Sequence, residues 1–221
     1  MSGRVIAIDG PSASGKSTVA RRVARATGGI YVDSGALYRG MTWAALQQGV
    51  DPRDEAAVTA CKDRSDWQFR VVDQAVSFTI DGVDPGEEIR GEAVRESVSY
   101  VAKIPGVRTF IVAQLQAMTR FGPLVMEGRD IGSVVFPDTP YKYYLDADPG
   151  ERARRRNEEI RQREGRSEIN RVLSSLEKRD KMDSNRKTAP LQVAEGAEVV
   201  NTTHMDIDEV VSAIVARVGT A

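Results

Sequence analysis

Short apolar runs and helix-spaced apolar stripes alternate along most of this chain. Strand-like runs stand at 4–9 (Val5, Ile6 and Ile8 apolar), 30–32, 124–126, 141–145 and 198–200. Helical spacing fills the intervals. Residues 16–26 place Val19, Ala20, Val23 and Ala24 on one face, and 36–47 form a helix closed by Gly49. The stretch 92–102 repeats Val94, Val98 and Val101, and Pro105 opens a helix carrying Val107, Ile111, Leu115 and Met118, since a first-turn position has no N–H to lose. Helices at 151–163 and 169–182 flank a break at Gly165, and Asp206 caps a last helix bearing Ile207, Val210, Val211 and Ile214.

Strands alternating with helices predict an α/β fold of three layers, a five-stranded parallel sheet covered on both faces. The rhythm breaks once. Runs at 67–72 and 75–80 are joined by Asp73-Gln74 with no helix between them, and Asp81-Gly82 follows. This pair predicts a small inserted β-rich subdomain within residues 60–102.

Composition narrows the class. The 221 residues carry a net charge of -1, with 41% apolar and 29% charged, the balance of a single globular unit. Apolar runs fall far short of the roughly 20 residues of a membrane span. Cys61 is the only cysteine, so an intrachain disulfide and a cysteine-based zinc site are excluded, and a cytoplasmic location is expected. No long exposed apolar stripe calls for a second copy, so a monomer is expected. His204 is the only histidine, which excludes chemistry needing two.

The overall charge selects no polyanion, but its distribution is uneven. Residues 151–187 hold 13 Lys and Arg against 8 Asp and Glu, whereas 51–96 hold 6 against 12. The basic segment could be a nucleic-acid surface or a lid over phosphates. It contains no Phe, Tyr or Trp, so base stacking has no platform there and no nucleic-acid partner is expected.

The sharpest chemical signal is Gly10-Pro11-Ser12-Ala13-Ser14-Gly15-Lys16-Ser17, a G-x-x-x-x-G-K-[ST] loop with a strand before it and a helix after it. Glycines let successive N–H groups turn inward, and the helix N-terminus adds about half a positive charge at the same point. Lys16 supplies a cation for the β- and γ-phosphates, and the Ser17 hydroxyl is the candidate ligand for Mg²⁺ carried with ATP. Neither D-x-x-G nor N-K-x-D occurs, which speaks against a GTP-dependent switch.

Two further polar clusters follow predicted strands, where a parallel sheet binds its ligands: Asp33-Ser34-Gly35-Ala36-Leu37-Tyr38-Arg39 and Gly128-Arg129-Asp130-Ile131-Gly132. Arg179, Asp183 and Arg186 lie on or after one basic helix, and Arg152, Arg154, Arg155 and Arg156 lie on its predecessor. Guanidinium forks match the oxygens of a phosphate monoester.

The chain resembles the bacterial-type cytidylate kinases, which are nucleoside monophosphate kinases. The matching stretches are I-D-G-P-S-A-S-G-K-S-T (8–18), D-S-G-A-L-Y-R (33–39), I-P-G-V-R (104–108), G-R-D-I-G-S-V-V-F-P-D (128–138) and R-D-K-M-D-S-N-R-K-T-A-P-L (179–191). The resemblance implies phosphoryl transfer from Mg-ATP to CMP, and to dCMP. It implies a P-loop core at about 1–59, 103–150 and 187–221, a nucleoside-monophosphate-binding insert at about 60–102, and a helical lid at about 151–186. It assigns cytosine to Ser99, Arg108 and Asp130, the ribose to Asp183 and Arg179, and the CMP phosphate to Arg39, Arg129 and Arg186, with Ser34 and Tyr38 lining that pocket. ATP falls to residues 10–17 and Thr18, with Arg152, Arg155 and Arg156 in the lid. Lys16, Arg129, Arg155 and Arg186 are the implied catalytic groups. Two alternatives stand beside this one. Another small-molecule P-loop kinase would share the loop but not the two clusters. A nucleic-acid-dependent ATPase would show RNA-stimulated hydrolysis.

Overall fold

The computed structural model describes residues 4–165, 168–186 and 188–219. The ends of the predicted core (1–3, 220 and 221), the lid residues 166 and 167, and Lys187 lie outside them. Five strands expected from the apolar runs are present: β1 (Val5–Asp9), β2 (Ile30–Asp33), β5 (Leu124–Gly128), β6 (Tyr141–Asp146) and β7 (Glu198–Asn201). They pair in parallel in the order β2-β5-β1-β6-β7.

The sheet has seven strands rather than five. The hairpin β3 (Trp67–Val72) and β4 (Ala75–Ile80) extends it at the β2 edge. Its antiparallel register runs from Trp67↔Ile80 to Val72↔Ala75, and it joins β2 through the single parallel pair Tyr31↔Ala75. Its turn is built from Asp73 and Gln74 at φ 49° and 58°, the left-handed backbone conformation by which a two-residue turn matches the right-handed twist of its strands. So the predicted strands are there, but they belong to the main sheet. Trp67 anchors them further, stacking on Phe78 at 5.3 Å and meeting the edge of Phe110 at 5.8 Å.

Both faces are covered by helices. On one, α1 (Lys16–Ala26) and α8 (Ile207–Val218) bury Val19, Val23, Val210 and Ile214 against Ile6, Ile8, Tyr31 and Val125. On the other, α2 (Ser34–Gln47), α3 (Glu55–Arg64), α4 (Glu92–Val101) and α5 (Pro105–Ala117) cover Ala7, Val32 and Met126 with Leu37, Met41, Val98 and Ile111. Burying each such side chain contributes about 1.5–3 kcal/mol. Helices α6 (Pro149–Glu164) and α7 (Ile169–Ser184) form a satellite layer around Ala153, Val172 and Leu176. Among the described residues no helix is long and apolar enough to cross a membrane.

Aspartates set several helix starts. Asp33, Asp54, Asp148 and Asp206 each accept first-turn amides, of α2, α3, α6 and α8. Asp33 starts α2 two residues ahead of the expected boundary. Helix α3 has no counterpart among the expected elements, because only Val58 and Cys61 of its ten residues are buried and no apolar stripe marks it. By contrast α1 begins at Gly15 (φ 90°) with no side-chain cap, which leaves its first-turn amides open to an anion.

Candidate functional site

Carboxyl ends of β1, β2 and β5 converge on one cleft of about 380 Å³. Ser12, Ala13, Gly15, Lys16, Ser17 and Thr18 of the phosphate loop line one end. Ser34, Tyr38, Arg39, Ser99 and Asp130 line the other, and Arg129, Arg156, Arg179, Asp183 and Arg186 complete the wall. Sixteen positions nominated from sequence thus meet in one chamber although they come from six separate stretches of chain.

The loop geometry follows from its glycines. At Gly10 φ is 146°, and a Cβ there would fall 2.1 Å from the Leu145 carbonyl oxygen, so no other residue fits. Ala13 holds a left-handed φ of 61°. The buried Lys16 ammonium donates to the Pro11 carbonyl at 2.5 Å and lies 3.3 Å from Ser14 Oγ. Burial, then Arg129, lowers its pKa to about 7.

Arg129 joins the two ends. It donates to Ser12 Oγ at 2.7 Å and to Asp183 Oδ2 at 3.3 Å. Arg186 lies 3.5 Å from the other oxygen of Asp183. Arg39 pairs with Asp33 at 2.8 Å. Burial alone would raise the Asp33 pKa, but Arg39 and Arg90 hold it below the usual carboxylate range. Arg179 is buried among cations, and burial, then Arg129, brings its guanidinium down to about 10. Arg39 Nε, Arg179 Nε and Arg186 Nη2 are buried without a hydrogen-bond acceptor. Three such donors, in side chains that all line one cleft, fit an anionic ligand.

At the far end Asp130 is salt-bridged to Arg108, both side chains buried. Asp130 does not cap the helical turn that follows it at 131–135. Arg108 stands behind Asp130 rather than in the cleft wall, its guanidinium 5.5 Å from the Tyr38 ring centre.

Two lid arginines also face away from the cleft. Arg152 is buried and donates to Ala147 O at 3.1 Å, Ser12 O at 3.3 Å and Asp180 at 2.5 Å, tying α6 and α7 to the phosphate loop. Arg155 holds Glu151 at 2.9 Å and the Thr202 carbonyl at 2.7 Å. Arg156 does line the cleft, paired with Glu159 at 2.7 Å. Gly10, Pro11 and Ser14 are buried supports of the loop.

Several contributors escaped sequence reasoning. Asp9, the last residue of β1, accepts the Ile131 and Gly132 amides at 2.9 and 2.8 Å, and burial raises its pKa to about 6. Glu127 is buried on β5, reached by the Tyr31 hydroxyl at 2.5 Å and by Ser17. Burial, then Asp33, raises its pKa. The signal available for both was a carboxylate ending an otherwise apolar strand. Arg90, from the segment between the hairpin and α4, and Arg95 of α4 also line the cleft.

A family model described as cytidylate kinase matches residues 6–220. The cytidylate kinase of Pelotomaculum thermopropionicum is 42% identical over 219 residues, covering 96% of this chain and 95% of that one. The cytidylate kinase of Mycobacterium leprae is 43% identical over 209 residues, covering 94% and 92%. That of Geobacillus thermodenitrificans is 43% identical over 209 residues, covering 95% and 93%.

Proposed function

Because the chain belongs to the cytidylate kinase family and transfers a phosphoryl group from ATP to CMP, we propose that its cleft works as two anion cradles sharing Arg129. The phosphate loop and the open amides of α1 take the ATP phosphates, with Lys16 at the β- and γ-groups. Arg39, Arg129 and Arg186 clamp the CMP phosphate, Asp183 and Arg179 take the ribose, and Asp130 with Arg108 and Ser99 reads cytosine. The nucleophile is a CMP phosphate oxygen, already largely deprotonated at neutral pH. No general base is needed, and catalysis is positioning and charge neutralisation. Arg152 holds the Ser12 carbonyl of the loop from behind, and Arg155 holds Thr202, whose hydroxyl donates to the Ser14 carbonyl. Arg156 covers the ATP side.

The observation that carries this reading is that three arginines lining the cleft shared with the phosphate loop, Arg39, Arg179 and Arg186, each keep a guanidinium N–H without a hydrogen-bond acceptor. dCMP is also a substrate, because base and phosphate contacts are common to both nucleotides and only one ribose hydroxyl is lost. A coupled assay comparing CMP, dCMP, UMP and AMP tests the assignment. CMP and dCMP should lead, and preference for AMP would overturn the reading of Asp130.

Mg²⁺ enters with ATP. The donors fit it: the Ser17 hydroxyl and the Glu127 carboxylate are hard oxygens on one cleft wall, and Mg²⁺ takes one or two carboxylates while keeping several waters. Among the described residues no three His, Cys, Asp or Glu gather into a metal cage. When bound, Mg²⁺ neutralises charge between the β- and γ-phosphates.

The depressed Lys16 pKa has a measurable consequence. Near pH 8 the amine of the empty site is mostly neutral, since its pKa is about 7. Bound polyphosphate favours the charged form, so ATP binding takes up a proton at pH 8 and ceases to at pH 6, where the amine is already charged. Titration calorimetry in buffers of different ionisation enthalpy should show this difference in the wild type. Lys16→Met should abolish it, and equal uptake in both proteins would refute the assignment.

Closure over CMP falls to residues 86–102 rather than to the whole insert, because the hairpin is joined to the sheet and held by Trp67. Trp43 of α2 donates its indole N–H to Glu88 at 2.7 Å, across the boundary of that segment. In a Trp67→Phe variant, CMP binding should change Trp43 emission. Unchanged emission at demonstrated saturation would rule the motion out.

A further inference from the structure

Tyr31 stands in the middle of β2, and its ring fills the α1-covered face beside Val125 and beneath α1, with the Arg21 guanidinium 4.1 Å from the ring centre. Its hydroxyl lies further along. β2 and β5 run parallel with Tyr31 opposite Val125, and Asp33 opposite Glu127. Period-two alternation puts all four side chains on one face. The Tyr31 hydroxyl therefore reaches diagonally to Glu127 Oε1, at 2.5 Å, in a buried contact.

The contact matters because of what else surrounds Glu127. Asp33 is its direct cross-strand neighbour and carries like charge, already bound by Arg39, Arg90 and the Ala36 amide. Lys16 stands on the loop side, and Ser17 of α1 reaches the same carboxylate. Two hydroxyls, those of Tyr31 and Ser17, hold this carboxylate between the like charge and the cation. The Tyr31 phenol is the donor in its contact, and Glu127 Oε1 accepts. It ties down Oε1 of the carboxylate that Ser17 also reaches.

We infer that Tyr31 is a positioning residue for the divalent cation that accompanies ATP, acting by holding Glu127 in register with Ser17. This rests on the placement of that cation at Ser17 and Glu127. Residues that orient a metal-ligating group commonly change metal affinity or activity by 10–100-fold when removed.

Mn²⁺ titrated by electron paramagnetic resonance into the full chain with a non-hydrolysable ATP analogue reads the effect directly. Tyr31→Phe keeps the ring, its packing and the Arg21 contact, and loses only the hydroxyl. It should weaken Mn²⁺ roughly 10-fold. It should raise the Mg²⁺ concentration giving half-maximal rate, with kcat recovered at saturating Mg²⁺. Glu127→Gln should weaken Mn²⁺ at least as much. If Tyr31→Phe does not fold, Glu127→Asp serves instead: it keeps a carboxylate but withdraws it by one methylene from the phenol, and it should also weaken Mn²⁺. Wild-type Mn²⁺ affinity in Tyr31→Phe, or in Glu127→Asp, alongside a weakened Glu127→Gln overturns the role of Tyr31 and leaves the cation site standing. Wild-type affinity in Glu127→Gln removes the cation from Glu127 and the inference with it.

Discussion

Lys16→Ala should lower turnover by about 10²–10³-fold with the fold retained, the loss of about 3–4 kcal/mol typical of one preorganised electrostatic donor. The amine is buried against the Pro11 carbonyl and Ser14 Oγ before any nucleotide arrives. It is thus already desolvated at the point where charge shifts during transfer, and its removal leaves the α1 amides and Arg129 to carry that charge alone. Lys16→Met, which keeps the aliphatic stem, should behave similarly in turnover and unfold at the wild-type temperature. Rates measured at saturating ATP and CMP check the prediction, and wild-type kcat in either variant would take Lys16 out of the reaction.

Asp130→Ala should act at two levels. Arg108, 3% exposed, would lose its carboxylate partner. Stranding a buried charge in this way costs about 3–5 kcal/mol, or roughly 2–4 °C in Tm per kcal/mol for a chain of this size. The acceptor for the cytosine amino group disappears as well, worth about 1–3 kcal/mol of base discrimination. KM for CMP should therefore rise by one to two orders of magnitude while KM for ATP stays near wild type. The double variant Asp130→Ala/Arg108→Met separates the two effects, regaining stability but not CMP affinity. An unchanged CMP dependence in the single variant would reject Asp130 as the base reader.

Much of the scaffold was legible because it is written in period. The five parallel strands are each seeded by a short apolar run, fully buried in β1 and β5 and partly buried in β2, β6 and β7, and α1 and α4 carry unbroken stripes. The phosphate loop is local in sequence, so its glycines and Lys16 could be read without the fold. What escaped depends on registry between segments. Nothing near Tyr31 announces that β2 lies beside β5 and that its hydroxyl meets Glu127. Nothing in the hairpin announces that Ala75 pairs with Tyr31 and so merges a presumed subdomain with the main sheet. Arg152 and Arg155 carried the right chemistry for a phosphate lid, yet their guanidinium groups are spent on the carbonyls of Ser12, Ala147 and Thr202. A sequence shows that a charge exists, not which way it turns. Helix α3 was invisible for the opposite reason: it buries too little to leave a stripe.

Asp9 and Gly10 are adjacent, and they brace opposite sides of the cleft. Gly10 begins the phosphate loop, while the Asp9 carboxylate fastens the two amides just beyond Asp130. On the proposed assignment, one peptide bond is then the common datum for both nucleotides, and segments that cover the cleft could diverge in length or charge without altering the gap between them, because that gap is gauged from β1.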